Sequence, residues 1–322
     1  MYPFFPKVRP VISRTGERSN TTEASASEYV LENRVLPYLL ALPIMWALTA
    51  WVVAKKWIYR RMKWGELKTN SLWFDGLSPR CRRIKEGAAS WRALEEIYNY
   101  RPGNEGPLTD FWLGMPNAQA VRNRFHLLER EIIALAKKYG ESAPSTEPVI
   151  ILSLASGSAE AIIHAVKDLV AQSIPVSVSL LDWDEGALER ARFLSHQQGV
   201  AKNIHLVLGD VLKFSSLMQG IRPHIVEMAG LLDYLPDRKA RHVLKGIHEI
   251  LADNGTLVTC HIHKNPERHF LKHVIGWVGT ERAPMLYRTG EELLKVVSLG
   301  GFKPARLISE PHGIHTIAVA KK

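Results

Sequence analysis

Three short turns at the ends of apolar runs carry residue types suited to holding a nucleotide-like ligand. The first comes after the run from Val149 and reads Ser153-Leu154-Ala155-Ser156-Gly157-Ser158-Ala159. Where a buried strand ends in small residues and a helix comes next, the helix N-terminus faces a ligand. The second reads Leu181-Asp182-Trp183-Asp184, with Asp182 placed 25 residues after Gly157. An acid at that distance can bind both hydroxyls of an adenosine ribose. Trp183 can pack on an adenine face, while Asp184 also suits N-capping of a helix that starts at Glu185. The third is Gly209-Asp210-Val211, where the short acid either meets an adenine amino group or forms a turn.

Downstream lie candidates for proton and anion chemistry. His261 and Tyr234 fall just after two further apolar runs, at the carboxyl ends where ligands bind in open α/β sheets. His261 is the candidate base for a hydroxyl acceptor, whereas a carboxylate acceptor is already ionised and needs none. Tyr287 and Arg288 are expected to close the acceptor side, with Arg288 able to grip a carboxylate in bidentate fashion. His261 and His263 alternate beside Cys260 without a nearby acid, so no metal site is expected.

The elements that position these residues are strands alternating with helices. VIILSLAS, VSVSLLD, IHLVLGD, HIVEMAG and GTLVTCHI are apolar runs separated by helical stretches such as Glu185–Gln198 and Arg238–Leu251. Continuous apolar strands with helical crossovers imply a parallel sheet covered on both faces. PARLISEP and GIHTIAVAKK, joined by a Pro-His-Gly turn, predict a closing antiparallel hairpin. Ahead of this, residues 65–145 read as a helical extension or lid, with amphipathic stretches at Ala88–Tyr98 and Ala118–Tyr139. ESAPSTEP then serves as a linker into the domain at 146–322.

The 322-residue chain carries a formal charge of +10, yet the excess is local. Residues 51–101 hold twelve Lys/Arg against five acids, and residues 102–322 account for only +2. This basic stretch comes directly after twenty uncharged residues, Val35 to Ala54. Twenty helical residues rise about 30 Å, the thickness of a bilayer core. Trp51, Trp57, Tyr59 and Trp64 suit an aromatic belt, and Lys55, Lys56, Arg60, Arg61 and Lys63 place the C-terminal domain in the cytoplasm. Residues 35–64 are therefore expected to be a transmembrane or membrane-associated helix, single-pass if it spans, with a buried helix as the alternative. Residues 1–34, broken by Pro3, Pro6 and Pro10, read as a mobile arm. Local charge beside an apolar run suits an anionic membrane better than nucleic acid. Cys81 and Cys260 are the only cysteines, which excludes a disulfide scaffold or a cysteine-built zinc site.

The three turns and the closing hairpin, over roughly residues 120–322, resemble class I S-adenosylmethionine (SAM)-dependent methyltransferases. The resemblance implies a Rossmann-like seven-stranded sheet and SAM as cofactor. It places Ala155, Ser156 and Gly157 along the methionine part and Asp182 at the ribose. Trp183 falls beside the base and Asp210 and Val211 flank the adenine, with Gly209 and Ala229 also expected among the cofactor-binding residues. The sequence departs from the pattern at Ser153, where the family has an acid, and at Ala155 and Ala159, where it has glycines. The strings Ala229-Gly230-Leu231-Leu232-Asp233-Tyr234-Leu235, Asn265-Pro266-Glu267-Arg268 and Leu286-Tyr287-Arg288-Thr289 look like a bacterial subgroup associated with 3-hydroxy fatty acid methyl esters. The expected activity is methyl transfer to a small or lipid-like acceptor, a carboxylate among the candidates, at a membrane surface. A non-catalytic SAM-binding membrane scaffold and a nicotinamide-dependent oxidoreductase are the alternatives.

Overall fold

In a computed structural model, residues 29–65, 72–142, 147–263, 265–277, 279–280, 283–303 and 306–322 are described. Most of the expected arm and part of the linker, residues 143–146, lie outside them. Leu31–Lys322 forms one compact unit.

The core is a seven-stranded sheet. Its strands are β1 (Val149–Leu154), β2 (Val176–Asp182), β3 (Ile204–Leu208), β4 (Ile225–Ala229), β5 (Thr256–Ile262), β6 (Arg306–Ser309) and β7 (His315–Lys321), in the order β3-β2-β1-β4-β5-β7-β6. β1 to β5 pair in parallel, and β7 runs antiparallel to both β5 and β6, as the closing hairpin predicts. The central strands are apolar along their length because both faces are covered. β3, at one edge, is only partly buried. Helices α5 (Pro116–Ser142), α6 (Glu160–Ala171) and α7 (Glu185–Gln197) carry the core on one face. On the other, α8 (Asp237–Ile250) and α9 (Gly290–Leu299) pack through residues such as Val243, Leu244 and Val296. The strand order reverses direction between β1 and β4, which is where such sheets bind ligands.

Three short helices, α2 (Pro79–Glu86), α3 (Trp91–Tyr98) and α4 (Pro107–Leu113), form the expected extension together with a turn at Leu72–Gly76. Ser78 and Ser90 cap α2 and α3 by accepting from backbone N–H groups of Cys81 and Arg92, satisfying donors that the first helical turn leaves free. α5 belongs instead to the sheet's own helical layer.

Helix α1 (Leu36–Met62) is long and apolar enough to cross a membrane. Its Ala41, Met45, Leu48 and Val52, spaced to share one helical face, are nevertheless buried against Phe270, Leu271, Val274 and Ile275. Lys56 Nζ donates to the His273 carbonyl at 2.8 Å. Just before α1, Glu32 and Asn123 exchange two hydrogen bonds, as do Arg34 and Gln119 of α5, and Arg122 pairs with the Glu32 carboxylate. Residues 31–34 are thus bound to the domain rather than part of a mobile arm. The residues just before α1 and Lys56 within it are both held by this one body.

Candidate active site

A cavity of about 940 Å3 lies over the carboxyl ends of β1, β2 and β4. That is at the upper end of the roughly 300–1,000 Å3 usual for small-molecule sites. Ala155, Ser156, Gly157, Asp182, Trp183, Gly209, Asp210, Val211 and Ala229 all line it, so the residues singled out for the cofactor are brought together.

The β1–α6 turn keeps a glycine-like path without its glycines. Ala155 and Ala159 hold φ of 53° and 52°, beside Gly157 at 56°. This left-handed region costs a residue with a Cβ about 1–2 kcal/mol. Asp182 anchors the turn: its Oδ2 accepts from Gly157 N at 2.8 Å and its Oδ1 from Asp184 N at 2.9 Å. Each oxygen retains acceptor capacity for a hydroxyl. Trp183 lines the cavity while 84% exposed, a free indole face. Asp184 caps α7 through Gly186 N and Ala187 N and also accepts from Trp91 Nε1. Asp210 Oδ1 accepts from Leu212 N, so it both forms a turn and lines the cavity.

Position 153 carries no acid, but the adjacent strand places one beside it. Ser153 of β1 is in register with Glu227 of β4. Its Oγ donates to Glu227 Oε2 at 2.5 Å, and Ala229 N donates to Oε1 at 2.7 Å. Glu227 is buried at the cavity wall, and burial raises its pKa against the opposing pull of those two hydrogen bonds and of Arg124. Arg124 of α5 is buried at the same wall. Its Nη2 donates to Tyr98 Oη at 3.2 Å. Among the described residues its Nε has no hydrogen-bond partner, and no carboxylate forms an ion pair with it. A buried acid and a buried base, neither in a salt bridge, are costly unless a ligand completes them.

Three of the four expected catalytic residues are placed otherwise than expected. Arg288 cannot grip an acceptor: its guanidinium is buried and donates to the Leu232 and Leu235 carbonyls and to Asp237, away from the cavity. His261 is 1% exposed and stands behind the cavity wall, with Nδ1 2.5 Å from Oδ1 of the cavity-lining Asp233 but not aligned for a hydrogen bond. It does not line the cavity. Tyr287 also stands back, its hydroxyl turned to Met285 Sδ at 3.6 Å. Tyr234 alone of the four does line it, accepting from Trp277 Nε1 at 3.1 Å. Burial pushes its hydroxyl up to about 12, so it acts as a neutral donor.

The histidine at the cavity is His315 of β7, opposite Ile262 of β5. It is buried, both ring nitrogens lack partners among the described residues, and burial, helped by Arg124 and His261, lowers its pKa well below the ordinary value. The shift favours the neutral imidazole, whose unprotonated nitrogen is open to a hydroxyl of a ligand. The remaining lining is largely apolar or aromatic, from Leu94 and Tyr98 of α3, Val121 and Leu128 of α5, and Leu271, Trp277 and Met285.

A parallel sheet reversing at β1/β4 and closed by an antiparallel hairpin, with a cavity over its carboxyl ends, is the fold of the methyltransferase class of α/β protein. Residues 18–322 match the family described as "Putative methyltransferase", and the chain belongs to it. That membership overturns the oxidoreductase alternative. No curated relative matches the sequence. Among solved structures it is similar to one described as a possible exported protein from Bordetella parapertussis, at 17% identity and TM-score 0.61, over 86% of this chain and 96% of that one. It is also similar to the CurJ carbon methyltransferase, at 16% identity and TM-score 0.52, over 75% and 66%. A third, at 13% identity and TM-score 0.47 over 71% and 92%, is the magnesium protoporphyrin IX methyltransferase of Synechocystis, with bound S-adenosylhomocysteine. At such identities the first two show the shared fold.

Proposed function

We propose that this protein transfers the methyl group of SAM to a hydroxyl of a small, lipid-like acceptor at a membrane surface. The observation that carries the reading is the pair of buried, oppositely charged groups at one cavity wall, Glu227 and Arg124. The amino-acid head of SAM bears one ammonium and one carboxylate, and those two side chains are the complementary charges. Asp182 would hold the ribose hydroxyls, Trp183 would cover the base, and Asp210 would meet its amino group. When bound, SAM supplies a methyl on a sulfonium, open to in-line attack. Positioning two reactants is then most of the catalytic task.

The acceptor half of the cavity is apolar and aromatic, which suits a hydrocarbon body. Tyr234, held by the N–H of Trp277, orients the acceptor oxygen by donating its own hydroxyl proton. His315 removes the hydroxyl proton onto an unpartnered ring nitrogen, and burial keeps that imidazole uncharged beforehand. The carboxylate reading loses the residue expected to grip it, since Arg288 is committed to backbone carbonyls. The likeness to enzymes of fatty acid methyl ester formation supports the lipid-like class of acceptor and leaves its identity to experiment.

The test is transfer of tritium from methyl-labelled SAM into chloroform-soluble material from a bacterial lipid extract. Label in a product stable to mild alkali is expected, since an ether resists it and a methyl ester does not. His315→Gln should abolish turnover while leaving S-adenosylhomocysteine binding intact. Alkali-labile label with full His315→Gln activity would replace the hydroxyl reading with the carboxylate one. Absence of transfer by a protein that binds SAM would support the scaffold instead.

A further inference from the structure

The apolar helix α1 and the acceptor wall are one piece of structure. Along one face, Ala41, Met45, Leu48 and Val52 pack on the segment from Phe270 to Ile275. Leu271 of that segment lies in the same apolar cluster and also lines the cavity, as do Gly276 and Trp277 immediately after it. Elsewhere around α1 the side chains are exposed and apolar: Leu40, Ile44, Trp46, Trp51, Trp57 and Ile58. Trp57 is 66% exposed. An exposed apolar surface of this extent marks an interaction site. Its polar complement is cationic, because Lys55, Arg60, Arg61 and Lys63 lie at the C-terminal end and form no ion pair among the described residues.

Two features decide what covers that surface. Tryptophans with Lys and Arg at the helix end match the headgroup region of an anionic bilayer. A spanning orientation is at odds with the attachments at both flanks. Residues 31–34 are hydrogen-bonded to Gln119 and Asn123 of α5, and Lys56 near the other end bonds to His273. A helix crossing the membrane would carry its two ends to opposite sides, whereas these ends are held by the same body.

We propose that α1 lies in the plane of an anionic membrane as a one-sided anchor, and that by forming the back of the 268–277 wall it presents the acceptor cavity to an amphiphile held in that bilayer. The anchor stands on the packing and charge of α1. The acceptor's role rests on the methyl-transfer reading above. An apolar stripe with cationic flanks binds the interface through buried area plus attraction to anionic lipid.

The full-length protein is tested by flotation with phosphatidylglycerol-containing vesicles and with phosphatidylcholine alone. Binding to the first, weakening with salt, is expected. Ile44→Ser/Trp51→Ser/Trp57→Ser, all exposed positions, should weaken binding by about ten-fold or more with unchanged S-adenosylhomocysteine affinity. Methyl transfer to vesicle-borne lipid extract should fall with it. For topology, Asn33→Cys and Lys63→Cys are labelled with an impermeant maleimide in right-side-out and inverted membrane vesicles. Both native cysteines are buried, so the new thiols report alone. Labelling of both sites from the same side is expected. Labelling from opposite sides, equal vesicle binding by the triple variant, or no vesicle binding by the parent protein would each overturn the proposal. Vesicle binding and same-side labelling without cofactor binding would overturn the methyltransferase reading and leave the anchor standing.

Discussion

Glu227→Gln isolates the claim that an acid moved from β1 to β4 still holds the cofactor's ammonium. Glutamine keeps the volume and one acceptor oxygen for Ser153 Oγ or Ala229 N, so the fold is preserved while the charge is removed. A hydrogen bond to a charged group contributes about 1.5–3 kcal/mol, and at about 1.4 kcal/mol per decade this predicts roughly 10- to 100-fold weaker binding. Calorimetry with S-adenosylhomocysteine should show that loss. 5′-Methylthioadenosine, which has the same adenosine but no amino-acid head, should bind both proteins equally. The pH dependence has a defined sign. Burial raises the Glu227 pKa, and only the ionised carboxylate attracts an ammonium. Affinity is therefore full above the raised pKa and falls as pH drops through it; in Glu227→Gln the dependence should flatten. Equal losses for both ligands would mean that the substitution disturbed the cleft rather than the ammonium site. Unchanged affinity for S-adenosylhomocysteine would refute the reasoning outright.

Four further outcomes are expected. Arg124→Met should likewise erase the preference for S-adenosylhomocysteine over 5′-methylthioadenosine, since it removes the buried cation that would face the head's carboxylate; a raised acceptor KM with normal cofactor affinity would assign Arg124 to the acceptor instead. Ala159→Gly relieves a φ of 52° and should leave stability within about 1 kcal/mol of the parent or raise it, because the relief is offset by glycine's larger chain entropy; chemical denaturation measures it. Arg288→Met strands the Leu232 and Leu235 carbonyls and should cost about 2–5 kcal/mol of unfolding free energy, and an unchanged denaturation midpoint would contradict the clamp. Asp182→Asn should weaken S-adenosylhomocysteine and 5′-methylthioadenosine alike, because the ribose is common to both.

The sheet is readable because its strands are continuous in sequence and its terminal hairpin lies within sixteen residues, Arg306 to Lys321. The turns that line the cavity are readable for a similar reason: Asp182 and Trp183 sit at the end of β2, and Asp210 lies two residues past β3. The features that escape a linear reading depend on pairing across the sheet. Glu227 sits in an otherwise apolar run, HIVEMAG, and only its register with Ser153 reveals an acid beside the position where one is missing. His261 has the sequence position of a cleft residue, yet it lies buried behind the cavity-lining Asp233, and His315 from an antiparallel neighbour takes the cavity position. Arg124 is hidden because an arginine on an amphipathic helix reads as solvent-facing. It is buried because α3 brings Tyr98 against it. Arg288 fails as a gripper for a reason invisible in sequence: two carbonyls of the 232–235 turn claim its guanidinium.

The shared apolar cluster of α1 and the segment after Phe270 has a practical corollary for handling the protein. On the proposed membrane-anchored arrangement, detergent would replace lipid on the outer tryptophans while the inner stripe stays seated, so extraction into micelles should preserve the fold. Removing α1 by truncation, by contrast, would bare Phe270, Leu271 and Val274 and slacken one side of the acceptor chamber. Turnover would then be lost together with solubility, and a shortened chain would mislead anyone seeking the natural acceptor.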